Sequence, residues 1–325
     1  MFQLRFDLRV PPFATTTHEQ LYREAMDMVG WADDRGFTGF VLSEHHGVED
    51  GYVSSPLTLA AGMLGRTRSL LGTIAALLVP YHDPLRLAEE VACLDLLSGG
   101  NRLVLIVGLG YRESEFEMFG KDRRSRGRLL ETAVGTMLQA WTGEPFEYEG
   151  RTVRVTPRPA TRPHPTVMIG GSAEISARRA ARFHLPFMPP VADDDLARVY
   201  YEEAERVGYQ SPFVMMPSGP GAVLVTDDPE RVWRQIGQHC LFDAQTYASW
   251  QYSDQRSSWS IEADDVAGVR ASGQYQVVTP DECVKLAREH ATVTLHPLVG
   301  GIDPAIGWES LQLVVDKVMP QLAAS

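Results

Sequence analysis

The hydrophobic positions of this chain follow two alternating periods. Short runs of apolar residues, typical of strands buried on both faces of a parallel sheet, alternate with longer segments whose apolar residues recur every three or four positions. Phe2–Leu8 and Leu70–Val79 are predicted strands, and Glu19–Arg35 is a predicted helix with Leu21 and Ala25 on its apolar face. The alternation indicates an α/β protein with a crossover helix after each strand.

The same pattern continues to the end of the chain. Further strands are predicted at Phe37–Leu42, Arg102–Val107, Thr166–Ile169, Leu185–Met188, Ala222–Val225 and Thr292–Pro297. Further helices are predicted at Pro56–Gly65, Leu85–Leu97, Arg126–Trp141, Ala173–Phe183, Leu196–Val207, Pro229–Cys240, Asp281–His290 and Gly307–Met319. About eight strands favour a closed (β/α)8 TIM barrel over an open doubly wound sheet, because the first strand leads into Val10-Pro11-Pro12 and not into a glycine-rich fingerprint. We therefore expect one barrel domain over residues 1–325.

Two insertions are predicted in the barrel. Residues near 144–156 alternate around Glu149-Gly150, which indicates a β-hairpin. Residues near 242–272 are polar with scattered aromatic side chains. A segment of that length without regular structure is typical of a functional loop, so we expect it to form a lid over the barrel mouth.

Composition narrows the classes of function. The hydrophobic content of 44 % is that of a water-soluble enzyme with a sizeable core, and the net charge of −12 argues against a nucleic-acid or anionic-membrane partner. The N-terminus has no long apolar segment of the signal-peptide type, and no apolar run approaches the ~20 residues of a membrane span. We expect a cytoplasmic protein.

Three histidines follow predicted strands. His45 and His46 come just after the second strand, next to Glu44. Adjacent side chains of an extended segment point in opposite directions, so at most one of these two histidines is expected to face a cavity. The alternative is a pair that fixes the loop through backbone carbonyl groups. For His82 a ligand contact is an alternative, but a helix-entry turn with Asp83 as cap and Pro84 as the first helical residue is the favoured explanation.

Glycines mark two other strand ends. Gly170-Gly171-Ser172 opens the helix after a strand, where bare backbone N–H groups can bind a phosphate and Ser172 can cap the helix or donate to a phosphate oxygen. An ordinary turn explains the same residues. Gly108 and Gly110 similarly suit either a flat ring lying across the barrel mouth or a simple turn. The arginines that follow are best explained as a solvated helix entry, namely Arg112, Arg123, Arg124 and Arg126.

Taken together, these segments resemble the bacterial-luciferase-like flavin-dependent oxidoreductases and monooxygenases, a (β/α)8-barrel family. The resemblance covers nearly the whole chain and is clearest from Phe2 to about Phe183. Its markers are Gly36-Phe37, Glu44-His45-His46, Pro80-Tyr81-His82-Asp83-Pro84, Leu94-Asp95-Leu96-Leu97-Ser98-Gly99-Gly100-Asn101-Arg102, Gly108-Leu109-Gly110-Tyr111, Glu115-Phe116 with Phe119-Gly120, Gly170-Gly171-Ser172 and Val318-Met319-Pro320.

The resemblance implies roles for particular residues. His45 matches the active-site histidine, which acts as an acid or base near the flavin. The family has a bulge with a non-prolyl cis peptide after the third strand, which falls at Ala75-Ala76 here. The loop that holds the flavin phosphate is similar to Gly170, Gly171 and Ser172, and Gly108 lies on the same predicted rim.

Two positions depart from the flavin-binding luciferase subunit, which has an arginine matching Gly108 and a glutamate matching Gly171. Relatives that use the deazaflavin F420 often have glycine at both. The resemblance of Glu44-His45-His46 to the FMN-using branch keeps reduced FMN ahead of F420.

The resemblance implies a flavin-dependent monooxygenase that uses reduced FMN and O2 to oxygenate a small organic substrate, with a separate flavin reductase as partner. The alternatives are an F420-dependent hydride-transfer enzyme, a flavin-binding protein without catalysis, and a metal-dependent hydrolase built on His45, His46 and His82. Members of this family are often homodimers, and a homodimer is an expectation for this chain as well.

Overall fold

The computed structural model describes residues 1–252 and 256–323, and strands alternate with helices throughout. The strands are β1 (Phe2–Phe6), β2 (Gly39–Leu42), β3 (Leu71–Leu77), β4 (Leu103–Val107), β5 (Phe146–Tyr148), β6 (Arg151–Val153), β7 (Thr166–Gly170), β8 (Phe187–Met188), β9 (Ala222–Val225), β10 (Tyr275–Val278) and β11 (Val293–Leu295).

The helices confirm the other half of the predicted alternation. They are α1 (His18–Asp33), α2 (Pro56–Arg66), α3 (Pro84–Ser98), α4 (Glu113–Met118), α5 (Arg126–Ala140), α6 (Glu174–Arg182), α7 (Asp194–Arg206), α8 (Pro229–Ser249), α9 (Val266–Ala271), α10 (Pro280–Glu289), α11 (Pro304–Leu313) and α12 (Met319–Ala323), with a π-helical stretch at Val314–Val318 between the last two. The α/β class is confirmed.

The chain groups into two compact units. The first contains Met1–Val41, Val48–Ser54 and the described part of Ser218–Ser325, and the second contains Leu42–Gly47 and Ser55–Pro217. The single domain expected over 1–325 stays a prediction.

In the first unit the strands follow the order β10-β9-β11-β1, and their pairings are parallel. Phe2 pairs with Val293, and Tyr275 pairs with Ala222. Strand β10 was not predicted, because Gln276 interrupts a run of only four residues. Tyr275, Val277 and the apolar face of α8 form one buried cluster.

In the second unit the order is β3-β4-β7-β8, again parallel. The register of β3 against β4 shifts between Ala75 and Leu77, and the peptide bond between Ala75 and Ala76 is cis. The bulge and the cis peptide expected from the resemblance are thus confirmed. Because parallel strands place their carboxyl ends at one edge, the segments after β3, β4 and β7 lie along a common rim.

The hairpin insertion is confirmed, and the second insertion is shorter than predicted. Strands β5 and β6 pair antiparallel around Glu149-Gly150. The predicted loop near 242–272 instead begins as the last two turns of α8, ends in α9, and falls partly at 253–255, outside the described residues. Trp259 packs against the buried cluster of the first unit, whereas Tyr252 is exposed. Residues 250–252 and 256–265 form no helix or strand, and the lid role of this segment stays a prediction.

Across the described ranges, we find no helix with both the length and the apolar character required to traverse a bilayer.

Candidate functional site

The segment after β2 is held inside the second unit. Ser43 Oγ donates to the carbonyl of Ala75 at 2.7 Å, which ties this segment to the cis peptide after β3. Glu44, His45 and His46 follow, and all three are buried. Buried ionisable groups need partners, so their hydrogen bonds define the site.

His45 is paired with a carboxylate from α4. Its Nδ1 lies 3.1 Å from Oε1 of Glu115, and its side chain is only 8 % exposed. A carboxylate accepts and does not donate, so Nδ1 of His45 carries the proton. In the neutral imidazole, Nε2 is then the nitrogen that can take up a proton.

Glu115 collects donors from three segments. Its Oε1 also accepts from the backbone N–H of His46 at 3.0 Å and from Arg112 Nη1 at 3.1 Å, and its Oε2 accepts from the hydroxyl of Tyr81 at 3.1 Å. Burial raises the pKa of Glu115, but the hydrogen bonds from His45 and His46 and the charge of Arg112 outweigh it, so the pKa lies below its ordinary value. Burial and the Glu115 charge raise the pKa of Tyr81. Glu115 is therefore a fixed, ionised acceptor.

A second carboxylate pairs with the other two histidines. Oε1 of Glu44 accepts from Nε2 of His46 and from Nε2 of His82, each at 2.9 Å, and Oε2 accepts from the backbone N–H of Leu78 at 2.6 Å. Burial opposes the charge of Glu44, but these donors lower its pKa to about 2. The pKa of His82 is raised, because its bond to Glu44 outweighs burial.

The two adjacent histidines thus engage different partners, as the extended backbone predicted. The alternative that they fix the loop through carbonyl groups is wrong for these ring nitrogens, since both bind carboxylates. Within residues 1–252 and 256–323, no three His, Cys, Asp or Glu side chains are arranged to hold a metal ion. The helix-entry explanation of His82 is confirmed: Asp83 caps α3 by accepting from two backbone N–H groups, and Pro84 is its first residue.

Gly108 packs closely against the bulge after β3. Gly108 follows β4 and donates its N–H to the carbonyl of Leu77 at 2.9 Å. A Cβ at Gly108 would lie 2.8 Å from the Cβ of Ala76, inside van der Waals contact. Gly108 and the cis peptide at Ala75-Ala76 therefore face each other directly, and a larger residue could not occupy position 108 without moving the bulge.

The Gly170-Gly171-Ser172 turn ends β7 and leads into α6. The helix is capped at Ala173, which has no side-chain oxygen, so the predicted capping role of Ser172 is wrong. A Cβ at Gly171 would overlap Ser176 of α6, so this glycine is required for close packing of the turn on its own helix. The first N–H groups of α6 are therefore left without a side-chain cap, as a phosphate site requires.

Two site residues carry interactions that the sequence interpretation did not assign. Glu115 entered only as a marker of the resemblance, and Arg112 was explained as part of a solvated helix entry. The structure corrects the second point: the side chain of Arg112 is 13 % exposed and donates to the carbonyl of His46 and to Glu115. The sequence did contain a signal for this pair. Glu115 follows Arg112 by three residues and directly precedes the buried Phe116, a spacing that allows an ion pair at the start of a helix.

The comparisons with known proteins point to one family. The sequence profile of luciferase-like monooxygenases matches residues 6–293. The oxygenase component of a flavin-dependent trigonelline monooxygenase from Acinetobacter baylyi is 27 % identical over 161 residues, which cover 47 % of this chain and 44 % of that protein. The chain spans about half the length of the curated relatives that it matches.

Solved structures of the same kind resemble the chain along its length. Monooxygenase RslO1 from Streptomyces bottropensis has a TM-score of 0.77 at 22 % identity and covers 99 % of both chains. The oxygenating constituent of 3,6-diketocamphane monooxygenase from Pseudomonas putida, in complex with FMN, has a TM-score of 0.73 at 18 % identity over 98 % of both. An F420-dependent secondary alcohol dehydrogenase has 0.68 at 14 % identity over 98 % of both. The predicted TIM-barrel fold is confirmed by these likenesses.

Proposed function

Because the chain belongs to the luciferase-like monooxygenase family, we propose that it uses reduced FMN and O2 to oxygenate a small organic substrate. The observation that carries this proposal is the buried pair of His45 and Glu115, placed on the same strand-end rim as Gly108 and the Gly170-Gly171-Ser172 turn. A proton-exchanging imidazole on a rim with small residues at Ala75, Ala76 and Gly108 suits chemistry on a flat ring.

The residues of the rim fit a flavin. A flat ring can approach backbone closely where no long side chain projects, and the small residues Ala75, Ala76 and Gly108 adjoin one another after β3 and β4. A phosphate needs N–H donors, and the first turn of α6 behind Gly170, Gly171 and Ser172 lacks a side-chain cap. We assign Ala75, Ala76 and Gly108 to the ring and the glycine-serine turn to the phosphate.

When bound, reduced FMN supplies the electrons for the reaction with O2. The protein contributes orientation, exclusion of water and a proton. Glu115 fixes the tautomer of His45, so that Nε2 is the atom that exchanges a proton. Arg112 and Tyr81 hold Glu115 from its other sides, which leaves the imidazole one orientation. Burial of the pair keeps bulk water away from the exchanging nitrogen.

Reduced flavin has to be delivered to this site. The trigonelline relative is named as an oxygenase component, and on that likeness we propose a separate flavin reductase as partner. We also propose a homodimer of this chain. The substrate class stays at the level of a small organic molecule.

The proposal is tested at His45. We expect His45→Ala to lower oxygen-dependent turnover by about 10²- to 10⁴-fold, the usual contribution of a positioned acid or base, and to leave the protein folded. The assay supplies FMN, NADH and a general flavin reductase, and records oxygen consumption and product. His290→Ala, a half-buried histidine at the end of α10, is the matched control. Turnover of His45→Ala at the control's rate would remove His45 from the mechanism.

A second candidate is F420-dependent hydride transfer. It is favoured by the small residues at Gly108 and Gly171, and the alcohol dehydrogenase that resembles this fold is named as F420-dependent. The protein is mixed separately with FMN and with F420, and the absorbance that persists through desalting identifies the cofactor. Anaerobic turnover with reduced F420, and none with FMN and O2, would replace the first candidate by the second.

A further inference from the structure

Arg179, in the second turn of α6, is a buried cation at the start of α5. It is 6 % exposed, and its Nε donates to Oε1 of Glu131 at 2.8 Å. Its Nη2 lies 3.0 Å from the position that a Cβ at Gly127 would occupy. Gly127 is the second residue of α5, so the guanidinium lies against the first turn of that helix.

One nitrogen of this guanidinium is left without an acceptor. Nη1 of Arg179 is buried, and no group of the described residues forms a hydrogen bond with it. Glu131 is itself 46 % exposed and accepts only from Nε. A buried charged donor without a partner is costly, so this nitrogen calls for an acceptor from outside the chain.

The surroundings of Arg179 favour an anion. Helix α5 begins without a side-chain cap, because Oγ of Ser125 donates to the carbonyl of Asp122 at 2.7 Å. Helix α6 begins at Ala173, which has no oxygen to offer. The first N–H groups of α6 therefore keep their partial positive charge, whereas at the start of α5 the backbone N–H of Arg126 donates to the carbonyl of Arg123.

The two helix starts also lie at the same end of the unit. Position 127 of α5 approaches Arg179 of α6, and further along, a Cβ at Gly135 would lie 3.7 Å from Phe183. The two helices thus run side by side in one direction. Their N-termini, the guanidinium between them and the Gly170-Gly171-Ser172 turn that leads into α6 share one end.

We propose that Nη1 of Arg179 binds the phosphate of the flavin, as the side-chain cation of a site otherwise built from backbone N–H groups. Neither Gly108 nor the Gly170-Gly171-Ser172 turn contributes a positive side chain. The inference rests on the proposed function, since it assigns the phosphate end of the same cofactor site. Arg179 is a binding residue here and takes no part in the oxygen chemistry.

The test compares FMN with riboflavin, which lacks the phosphate. Dissociation constants for both are measured by quenching of flavin fluorescence. We expect Arg179→Gln to weaken FMN binding by about 10- to 100-fold and to leave riboflavin binding unchanged, as for the loss of a charged hydrogen bond. Arg182→Gln, at the C-terminal end of α6 in a half-exposed pair with Glu203, is the matched control and is expected to keep the wild-type ratio. Arg179→Lys serves as a second variant in case Arg179→Gln does not fold. It keeps the positive charge but loses the guanidinium, and we expect a smaller loss of affinity, again for FMN alone.

Two outcomes would overturn the assignment: equal weakening of FMN and riboflavin, which is a purely structural effect, or no change in either. Failure of the proposed function looks different. Wild-type protein that binds FMN without consuming oxygen contradicts the monooxygenase and leaves the Arg179 comparison intact. If only F420 binds, the same variants are compared on F420 and on its deazaflavin chromophore without the phosphodiester, with the same loss expected for F420 alone.

Discussion

Two clusters of buried charge, one in each unit, are built from similar residues and behave in opposite ways. The histidine cluster of the second unit comprises Glu44, His45, His46, His82 and Glu115. The arginine cluster of the first unit comprises Asp7, Arg9, Asp50, Asp243 and His296. Each joins residues from strand ends to an acid on a helix, Glu115 of α4 in one and Asp243 of α8 in the other, and both combine carboxylates with cations or imidazoles.

The difference lies in the number of donors that each carboxylate receives. Glu115 accepts from four groups, and its pKa is lowered. Asp243 accepts from Arg9 at 2.7 Å and from the hydroxyl of Tyr275 at 2.6 Å, and burial outweighs them, so its pKa is raised. Burial likewise raises the pKa of Asp7 against the effect of Arg9.

The two clusters also differ in their buried polar atoms that lack a hydrogen bond. Among the described residues, buried side-chain nitrogens and oxygens without a hydrogen bond include Nη2 of Arg9 and Nδ1 of His296, and none from the histidine cluster. The guanidinium of Arg9 is instead packed over aromatic rings, 4.9 Å from the centroid of Tyr52 and 5.3 Å from that of Tyr247. His82, by contrast, is 27 % exposed. In the histidine cluster the hydrogen bonds are satisfied and His82 meets solvent, whereas the arginine cluster is closed to solvent and leaves polar atoms unbonded among the described residues.

The largest effect on stability is expected at Arg9. Arg9→Met leaves Asp7, Asp50 and Asp243 buried without their cation, and we expect a loss of about 3–5 kcal/mol in the free energy of unfolding. Urea titration measures it. Arg23→Met, in an exposed pair with Glu19, is the control with an expected change below about 0.5 kcal/mol. A loss at Arg9 no greater than at Arg23 would mean that the arginine cluster is not a stabilising element.

A smaller effect, on activity, is expected at Glu115. Glu115→Gln keeps the shape but removes the charge that fixes the His45 tautomer, and we expect turnover to fall by about 10- to 100-fold with FMN affinity retained. Because Glu115 acts through His45, the pH profile of turnover is expected to shift as well. Glu117→Gln, on the exposed side of α4, is the matched control. An unchanged profile in Glu115→Gln would deny its positioning role.

The smallest effect is expected in the pH dependence of the free energy of unfolding, to which His82 and His296 contribute slopes of opposite sign. The folded pKa of His82 is raised above the unfolded value, so its stabilisation is complete below about pH 6.5 and is lost as the pH rises through the folded pKa. Burial lowers the pKa of His296 to about 3, so its contribution is lost as the pH falls below about 6.5.

Unfolding free energies of wild type, His82→Gln and His296→Gln between pH 5 and 9 measure both slopes. We expect His82→Gln to remove a decline of about 1 kcal/mol or less on the alkaline side, and His296→Gln to flatten the acid side. The contribution of each histidine is the difference between wild type and its variant. Contributions that change with pH in the same direction would show that the two clusters do not differ in protonation.

Local patterns predicted most of the elements and part of the site. Apolar runs located β3, β4 and β7, and the order of Glu44-His45-His46, Gly108 and Gly170-Gly171-Ser172 along the chain was enough to place them at strand ends. The capped start of α3 at Asp83 was also predicted, because a cap and a following proline act within one turn. The polar composition of 242–272 hid the end of α8 and all of α9, because the apolar positions in those two stretches are too few to show a helical period.

What the sequence determined by itself was therefore the α/β alternation, the hairpin at Glu149-Gly150 and the candidates at the strand ends, because strand and turn preferences act between near neighbours. Tertiary structure alone decided that Glu115, seventy residues from His45, fixes its tautomer, and that Arg9 neutralises Asp243 across more than two hundred residues. Ionisation of a buried group depends on every donor that the fold brings to it, and no short pattern in the chain records those distances.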